Sequence, residues 1–553
     1  MGKDNQISQL KREILTNIIK AFDTEDFAEY TRDIPYVMRP KGAEVPFRCC
    51  IYKERAILKD RAIAGLGFAI EEDDEITSLA TYAKRAVKRQ KPDEKVLTVL
   101  QAACKGCVPS RVHVTDLCQG CVARNCVESC NFDAIKIVEG KAVIDPAKCK
   151  NCLRCVSACP YGAITKVRVP CEDVCPVGAI KKDEYGLAQI NFDTCISCGK
   201  CVGACPFGAI HEKSQIVDIL LKIKQGKKVY ALLAPSIVGQ FAASRTVTLP
   251  SGSSREAFTV GEVTSLTEKV MPSGAAPLHT RLTHSIGKIK CGLKKAGFSD
   301  VYEVAYGADI TTRHEGEDFR ERMGKGDKFM TTSCCSAYNE LVAKHIPGMK
   351  PFVASSKTPA HYIAEVAKKE NPDCVTVFVS PCISKKKEAL QDKSIDYVLN
   401  FEEVSDLFDA REIDVESCAD EKFEHESSRQ GRLFPVTGGV AKAVCDYLKN
   451  TASCDHEDDE DNVDCGMDSY VGGGGLPNDP ATVRPKPYII GELSRATIKE
   501  LEKFAKAGVC EHGNMIEVMS CAGGCAGGNA TLKTPNATKK FIEEYSGESF
   551  EIK

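Results

Sequence analysis

The chain has 553 residues, 30 of them cysteines, and a formal net charge of -3. This near balance of charge gives no reason to expect nucleic-acid binding. The chain starts without an apolar secretory segment, and no apolar run is long enough to span a bilayer, so we expect a cytoplasmic protein without membrane insertion. Because thiols stay reduced in that compartment, the cysteines are expected to bind metal rather than form disulfides.

The chain divides into three segments of different texture. Apolar residues at three- and four-residue spacing over 7–21 and 76–89 predict a helical N-terminal region over residues 1–100. Residues 101–212 are dense in Cys and short turns, whereas residues 213–553 alternate apolar β-type runs with amphipathic helical stretches. Such alternation predicts α/β layers around parallel strands, with ligands bound at the carboxyl ends of those strands.

One stretch of the last segment breaks this alternation. Residues 451–487, approximately, carry clustered acids, four consecutive glycines and several prolines, a composition typical of a solvated insertion. Its Cys454 and Cys465 could bind a ligand, but unused thiols are the simpler interpretation.

Two runs in the Cys-dense segment have the CxxCxxCxxxCP spacing of bacterial ferredoxins. In this spacing three thiolates on one tight loop bind one four-iron cluster, and the fourth reaches a neighbouring cluster. The same offsets recur beside YGAI and FGAI tails, which favours this interpretation over two structural zinc sites. The two runs consist of Cys149, Cys152, Cys155 and Cys159, and of Cys195, Cys198, Cys201 and Cys205.

The first run has an irregular partner directly upstream, with the spacing CxxCxxxxCxxxC. We therefore expect an α+β ferredoxin-like module with two 4Fe–4S clusters. One cluster would be bound by Cys118, Cys121, Cys126 and Cys159, and the other by Cys130, Cys149, Cys152 and Cys155.

The second run lacks a complete partner, because only Cys171 and Cys175 stand directly upstream of it. Cys104 and Cys107 supply the missing half if the first module is inserted within the second. All sixteen Cys between 104 and 205 are then used, which favours four clusters over three with Cys104 and Cys107 left out. The outer module would bind clusters through Cys104, Cys107, Cys171 and Cys205, and through Cys175, Cys195, Cys198 and Cys201.

Three Cys motifs follow in residues 213–553: TSCCSAY at 332–338, SPCISKKKE at 380–388 and EVMSCAGGCAGG at 517–528. Their order and spelling resemble the three signatures of the iron-only (FeFe) hydrogenase catalytic domain. The resemblance covers roughly residues 228–535, and N-terminal ferredoxin-like modules are also typical of that family. It implies a large two-lobed α/β catalytic domain with parallel sheets.

The resemblance also implies a cofactor, the H-cluster, and the residues that bind it. Its 4Fe–4S part would be held by Cys335, Cys382, Cys521 and Cys525. Cys525 would also bridge to a diiron subsite that carries CO, cyanide and an azadithiolate. Lys385 would donate a charged hydrogen bond to one cyanide, Pro235 and Ser236 would contact the other, and Met519 would lie beside the diiron site.

The family's proton path has partial counterparts in this sequence. Cys334 resembles the proton-relay thiol, and Glu315 and Asp318 align with the two relay glutamates, the second shortened to Asp. A free thiol titrates near pKa ~8.5, so it can donate and accept protons near neutral pH. The serine of the path is replaced by Ala354, with Ser355 adjacent.

Other departures lie in the motifs themselves. Ser336 and Tyr338 stand where the family has Pro and Trp, and Ser380 stands where it has Met. These changes point to a divergent subgroup with its metal ligands intact, and they leave the proton route open.

The activity that the resemblance implies is 2 H⁺ + 2 e⁻ ⇌ H₂. Electrons would be exchanged with ferredoxin or a similar low-potential carrier, and maturation enzymes would supply the diiron subsite. Two alternatives are a slow hydrogen sensor and a non-catalytic iron–sulfur carrier or assembly factor. The retained Cys334 argues against the sensor, and the complete set of Cys382, Lys385, Glu388 and Cys525 argues against the carrier.

Overall fold

A computed structural model of the chain describes residues 5–43, 48–104, 107, 111–241, 285–452, 484–547 and 549–552. Most of the predicted insertion at 451–487, including Cys454 and Cys465, lies outside these residues.

Four helices account for most of the described residues before position 90: α1 (Gln6–Phe22), α2 (Phe27–Met38), α3 (Ile51–Gly65) and α4 (Leu79–Lys88). The α1 helix begins where the Asn5 side chain accepts hydrogen bonds from two backbone N–H groups of its first turn. The helix predicted at 76–89 begins later, at Leu79, because the Ser78 hydroxyl accepts a hydrogen bond from the Thr81 N–H and caps it.

The Cys-dense segment is built from antiparallel strand pairs joined by short helices. The pairs are β1 (Leu97–Val99) with β8 (Ile210–Glu212), β2 (Arg111–Val114) with β5 (Ile164–Val167), β3 (Ile135–Val138) with β4 (Lys141–Ile144), and β6 (Ile180–Lys182) with β7 (Ala188–Ile190). The helices are α5 (Asn125–Glu128), α6 (Arg154–Ala158), α7 (Pro170–Asp173) and α8 (Lys200–Ala204).

Strands β1 and β8 lie at opposite ends of this segment, so their pairing encloses all of the other strand pairs along the chain. Strand β1 precedes residue 101. The strand pairing of this segment therefore reaches upstream of residue 101, and the domain boundary itself stays a prediction.

The rest of the chain forms two parallel sheets with helices around them. The four-stranded sheet has the order β10-β9-β12-β13 and the three-stranded sheet the order β11-β15-β14. The strands are β9 (Val229–Leu233), β10 (Asp300–Glu303), β11 (Met330–Thr331), β12 (Val375–Ser380), β13 (Tyr397–Asn400), β14 (Pro487–Ile490) and β15 (Met515–Val518). All pairings within them are parallel, as the alternating sequence pattern predicts.

The described helices of this part are α9 (Ile216–Lys224), α10 (Ile286–Lys295), α11 (Val304–Gly324), α12 (Ser336–Lys344), α13 (Pro359–Glu370), α14 (Ser384–Gln391), α15 (Phe401–Ala410), α16 (Arg429–Leu433), α17 (Gly439–Ala452), α18 (Arg495–Ala507) and α19 (Pro535–Ser546). Strand β9 is buried along its whole length, which explains its continuous apolar sequence.

The three segments share one hydrophobic core, which runs from α1 through β8 into the four-stranded sheet. Glu212 links them: its carboxylate accepts hydrogen bonds from Lys11 Nζ of α1 at 3.1 Å and from Asn400 Nδ2 at 3.2 Å. The N-terminal helices are therefore packed onto the iron–sulfur and α/β segments. No helix within the described residues is long and apolar enough to cross a membrane.

Candidate iron–sulfur centres and active site

The three Cys motifs converge because each one follows the carboxyl end of a parallel strand. Cys335 lies between β11 and α12, Cys382 between β12 and α14, and Cys521 just after β15. Cys525 lies in the 3₁₀ turn that follows, Gly524–Gly527. Parallel sheets present ligand sites at this edge. The four thiols therefore meet although nearly two hundred residues separate the first from the last.

The four thiols perturb one another strongly. Burial, followed by repulsion from the Cys335 thiolate, raises the pKa of Cys382 to about 11. Burial, then Cys382 and Cys335, raises the pKa of Cys525 to about 12. The pKa of Cys521 also lies well above its usual value. Four partly buried thiolates in one place need a cationic group among them, so this donor set fits an iron–sulfur cluster.

Glycines allow the two loops that carry these thiols to touch. A Cβ at Gly528 would lie 2.4 Å from the carbonyl oxygen of Pro381, beside Cys382. At Gly524, which has φ +68, a Cβ would lie 2.7 Å from the Pro435 carbonyl oxygen. The glycine-rich spelling of the third motif thus reflects close packing of backbone against backbone.

Lys385 lies on α14 with its ammonium beside this quartet. Only 9% of the residue is exposed, and its Nζ donates to Glu388 Oε2 at 2.6 Å and to the Cys334 carbonyl at 3.4 Å. Burial lowers the pKa of Lys385, but Glu388 and the thiolates of Cys382 and Cys525 outweigh burial and leave the pKa raised. Lys385 is therefore a buried cation available to an anionic ligand.

The other residues predicted to contact the diiron subsite are also enclosed. Pro235 and Ser236 form the 3₁₀ turn after β9, and the fully buried Ser236 Oγ has no hydrogen-bond partner among the described residues. Met519 is buried against Cys334 and Cys335. A buried hydroxyl without a partner is unusual, so Ser236 fits a polar ligand at this position.

Glu315 of α11 is fully buried behind Cys334. Its Oε1 accepts hydrogen bonds from the Ser333 N–H at 3.0 Å, the Ser333 hydroxyl at 3.0 Å and the Ser356 hydroxyl at 3.1 Å. Its Oε2 has no partner within the described part of the chain. Burial raises the pKa of Glu315 despite these bonds, and burial followed by Glu315 raises that of Cys334.

Asp318, one turn further along α11, lies closer to solvent. Arg322 Nε donates to its Oδ1 at 2.8 Å, and the Ser355 N–H donates to its Oδ2 at 2.7 Å. Ala354 packs instead in a small apolar cluster with Phe319 and Met330. The hydroxyl of this loop that donates to Glu315 therefore belongs to Ser356. It belongs neither to Ser355 nor to position 354, where the family has its path serine.

A second polar network surrounds Glu388. Its Oε1 accepts from the Thr358 hydroxyl at 2.6 Å, and its Oε2 accepts from Lys385 and from the Ser336 hydroxyl. Ser336 is one of the departures from the family motif, so this departure adds a donor to the carboxylate that pairs with Lys385. An open cleft runs along Ser336, Thr358 and Glu388.

The Cys-dense segment brings its thiols together in four groups. Two of the groups line separate cavities: Cys130, Cys149, Cys152 and Cys155 in one, and Cys104, Cys107, Cys171 and Cys205 in the other. In a third, Cys126 is influenced by the charges of Cys121 and Cys159, and Cys118 packs in the same core. In the fourth, Cys175 acts on Cys195, Cys198 and Cys201.

No three His, Cys, Asp or Glu side chains of the described residues lie close enough to hold a single metal ion. A four-iron cluster is larger than one ion, so its ligands surround a cavity rather than a point. The Cys groups around cavities fit that larger cofactor.

Asn529 connects the last of these groups with the quartet of the three motifs. Its Nδ2 donates to the Cys198 carbonyl at 2.6 Å and lies 3.8 Å from Cys521 Sγ. The two sets of thiols are therefore neighbours across a single side chain.

Comparison with known families agrees with this arrangement. Residues 268–529 match the family model described as iron only hydrogenase large subunit, C-terminal domain. This part of the chain is therefore similar to the C-terminal domain of iron-only hydrogenase large subunits. Residues 165–216 match the LdpA Fe-S cluster-binding domain, and residues 142–165 match the 4Fe-4S binding domain.

Three curated hydrogenases resemble the chain over part of their length. The NADP-reducing hydrogenase subunit HndD of Solidesulfovibrio fructosivorans is 29% identical over 273 residues, 44% of this chain and 45% of that protein. Iron hydrogenase 1 of Clostridium pasteurianum is 27% identical, with 47% of each chain covered. The periplasmic [Fe] hydrogenase large subunit of Nitratidesulfovibrio vulgaris is 27% identical, over 45% of this chain and 63% of that protein. The chain thus spans about half the length of the curated relatives it matches.

Solved [FeFe]-hydrogenase structures give weaker overall superpositions. A variant of the apo [FeFe]-hydrogenase HydA1 from Chlamydomonas reinhardtii matches with a TM-score of 0.38 and 17% sequence identity, over 58% of this chain and 84% of that one.

Three features of this site were missed by the sequence analysis. Ser333 and Ser356 bond Glu315, and Asn529 bridges two thiol groups. Ser333 directly precedes Cys334, and Ser356 lies two residues after Ala354, so a search of neighbouring hydroxyls would have found both. Asn529 carries no signal in the sequence, because its role depends on two loops more than three hundred residues apart.

Proposed function

We propose that the chain is an iron-only hydrogenase that catalyses 2 H⁺ + 2 e⁻ ⇌ H₂ at an H-cluster. The single observation that carries the proposal is the convergence of Cys335, Cys382, Cys521 and Cys525 beside the buried ammonium of Lys385. An ordinary 4Fe–4S carrier has no need of that buried cation, of Met519 or of the unpartnered Ser236 hydroxyl.

The four Cys would hold the 4Fe–4S part of the H-cluster, and Cys525 would also link the diiron subsite. When bound, the H-cluster would supply the redox chemistry that joins protons and electrons to form H₂. Lys385 and Ser236 would donate hydrogen bonds to its cyanide ligands, and Pro235 and Met519 would close the apolar sides of the site.

Protons would move through side chains that lie in sequence behind the site. Cys334 is next to Glu315, whose carboxylate bonds the Ser356 hydroxyl. Asp318 and Arg322 complete the set towards the surface. The raised pKa of Glu315 helps a carboxyl to hold a proton nearer neutral pH, as a relay requires.

Electrons would pass through four accessory 4Fe–4S clusters, two in an inner ferredoxin-like module and two in an outer one. Asn529 would lie between the last cluster and the H-cluster. We propose ferredoxin or a similar low-potential carrier as the partner. One relative is named as NADP-reducing, so the nicotinamide route is the alternative to compare directly.

The remaining parts of the proposal concern the subgroup, the catalytic domain, the cellular location and the assembly of the site. The changes at Ser336, Tyr338 and Ser380 would place the chain in a divergent subgroup. The two parallel sheets would form the two lobes of the catalytic domain. A cytoplasmic location and the maturation enzymes that supply the diiron subsite complete the proposal.

The test is hydrogen uptake and evolution on one sample of the full chain, co-expressed with maturation enzymes and assayed with ferredoxin and with NADPH. We expect turnover with ferredoxin that disappears in Cys525→Ser. Turnover should survive in Cys374→Ala, which removes a buried thiol that lies outside the site and bonds the Ala367 carbonyl of α13. A sample with full iron content and no turnover in either direction would contradict the proposal.

A further inference from the structure

A buried guanidinium lies against one of the thiol groups of the outer ferredoxin-like module. Arg61 of α3 is 2% exposed and is among the largest fully buried side chains of the described chain. Its Nε and Nη1 have no hydrogen-bond partner among the described residues, and its Nη2 reaches only the Phe207 carbonyl, at 3.4 Å. An incompletely bonded buried cation is costly, so Arg61 indicates an anionic group nearby.

The position of Arg61 identifies that anionic group. Phe207 and Gly208 directly follow Cys205 and Pro206, and a Cβ at Gly208 would lie 2.8 Å from Arg61 Nη2. Burial, followed by the charge of Arg48, lowers the pKa of Arg61 to about 10, although Cys205 acts in the opposite direction. Arg61 therefore stays protonated at neutral pH against the loop of a thiol that lines the cavity with Cys104, Cys107 and Cys171.

A second cation reaches the same group from the other side. Lys182 Nζ donates to Cys104 Sγ at 3.3 Å and to the Cys104 carbonyl at 3.2 Å. Arg48 also donates to the Phe207 carbonyl, at 3.3 Å. Lys182 lines the cavity itself, whereas Arg61 and Arg48 contact the carbonyl of Phe207, which also lines it.

Carboxylates near these cations offset them only in part. The charge of Glu172 contributes to raising the pKa values of Cys107 and Cys171. Its Oε1 accepts a hydrogen bond from the backbone N–H of Lys182. Asp60 and Glu212 act on Arg61, but Glu212 is already bonded to Lys11 at 3.1 Å.

The thiol group of Cys175, Cys195, Cys198 and Cys201 also has two lysines near it. Both are committed to other acceptors: Lys200 donates to Glu492 at 2.6 Å, and Lys344 donates to the carbonyls of Phe192 and Cys195. Lys182, by contrast, donates directly to a Cys sulfur of its own thiol group.

Reduction of a 4Fe–4S cluster adds one negative charge to it. Cations and hydrogen bonds at its sulfurs stabilise the reduced form and raise the reduction potential, and the effect is strong where burial keeps water away. We propose that Arg61 and Lys182 are positioning residues that raise the reduction potential of a cluster held by Cys104, Cys107, Cys171 and Cys205, so that this cluster retains an electron in preference to the other accessory clusters. This inference rests on the iron–sulfur part of the proposed function and is independent of the hydrogen chemistry.

The test is a redox titration of the full-length protein, monitored by electron paramagnetic resonance. The relevant signal is the one that disappears in Cys107→Ala. In Arg61→Met and in Lys182→Met we expect its reduced-to-oxidised ratio at a fixed potential to fall at least tenfold, a midpoint shift of about 59 mV to lower potential. Arg61→Lys keeps the charge and should restore most of the wild-type midpoint.

Lys59 offers a matched control, because it lies on the same helix but pairs with Asp73 at 3.2 Å. Lys59→Met should leave the midpoint unchanged. Wild-type midpoints in both Arg61→Met and Lys182→Met would overturn the inference. If Arg61→Met fails to bind the cluster, Lys182→Met decides alone, and an unshifted midpoint there would show a purely structural role. The redox titration follows the cluster itself and does not depend on hydrogen turnover. An unshifted midpoint is therefore distinguishable from an absence of hydrogenase activity.

Discussion

The proposed inner ferredoxin-like module and the site of the three Cys motifs would bind their cofactors in opposite ways. The inner thiols all fall within residues 118–159, and Cys152 is exposed to solvent. The other site draws its thiols from residues 335–525 and surrounds them with the buried charges of Glu315, Lys385 and Glu517. A local loop suffices to carry an electron, whereas the proposed reaction needs a cation, a thiol and a carboxyl held in place by the whole fold.

Among single substitutions, we expect the largest loss of hydrogen turnover at Cys334. Cys334→Ala should lower hydrogen turnover by about 1000-fold, which lies within the range that a positioned proton donor contributes. The infrared bands of CO and cyanide should persist, since the four ligand thiols are untouched. Turnover near that of Cys374→Ala would remove Cys334 from the proton path.

A somewhat smaller loss is expected at the carboxyl behind it. Glu315→Gln keeps the shape of the side chain and can still accept from Ser333 and Ser356, but it no longer exchanges a proton. Turnover should fall by about 100-fold, while Ser356→Ala, which removes one of three hydrogen bonds, should cost about tenfold. A larger loss for Ser356→Ala than for Glu315→Gln would place the route elsewhere.

A milder effect on turnover is expected in the outer ferredoxin-like module. Cys107→Ala should remove one accessory cluster, so iron analysis should find four iron atoms fewer per chain, because a cubane cluster with a missing ligand is poorly retained. The catalytic quartet should be unaffected. An unchanged iron count would support three accessory clusters and leave Cys107 unused.

The smallest effect concerns stability where α1 meets the α/β segment. Both carboxylate oxygens of Asp406 are buried without hydrogen-bond partners in the described chain, and Arg12 Nε lies 3.8 Å away. Burial raises the pKa of Asp406 well above its ordinary value, so the folded protein keeps a proton that the unfolded chain releases as the pH rises. The free energy of unfolding therefore falls as the pH rises from the pKa of this carboxyl in the unfolded chain towards its raised pKa in the folded protein.

Asp406→Asn removes that dependence and should stabilise the protein by about 1 kcal/mol or more near neutral pH. The gain in thermal midpoint should be larger at pH 8 than at pH 6. A gain of equal size at pH 6 and pH 8 would show that Asp406 is already ionised in the folded protein at both values.

The sequence predicted the local thiol groups and the distant thiol quartet by different means. Fixed spacing grouped the thiols of residues 104–205, because their loops are short and local. The parallel strands followed from the alternation of β-type and helical runs. The quartet of Cys335, Cys382, Cys521 and Cys525 came from the resemblance, since no spacing rule connects loops so far apart.

Contacts that depend on distant packing were not predictable in this way. The pairing of β1 with β8, at opposite ends of the Cys-dense segment, is one such contact. The hydrogen bond from the Ser356 hydroxyl to Glu315 is another such contact, and it lies two residues beyond Ala354, where the family has its path serine. The position of Arg61 against Cys205 depends on how α3 packs, which local sequence does not specify.

The central claim is that the quartet and Lys385 hold an H-cluster, and infrared spectroscopy tests it most directly. After co-expression with the maturation enzymes, the full chain should show CO and cyanide bands, and Lys385→Met should shift or remove the cyanide bands while the accessory 4Fe–4S signals remain. A matured protein with full accessory clusters and no CO or cyanide bands would contradict the claim.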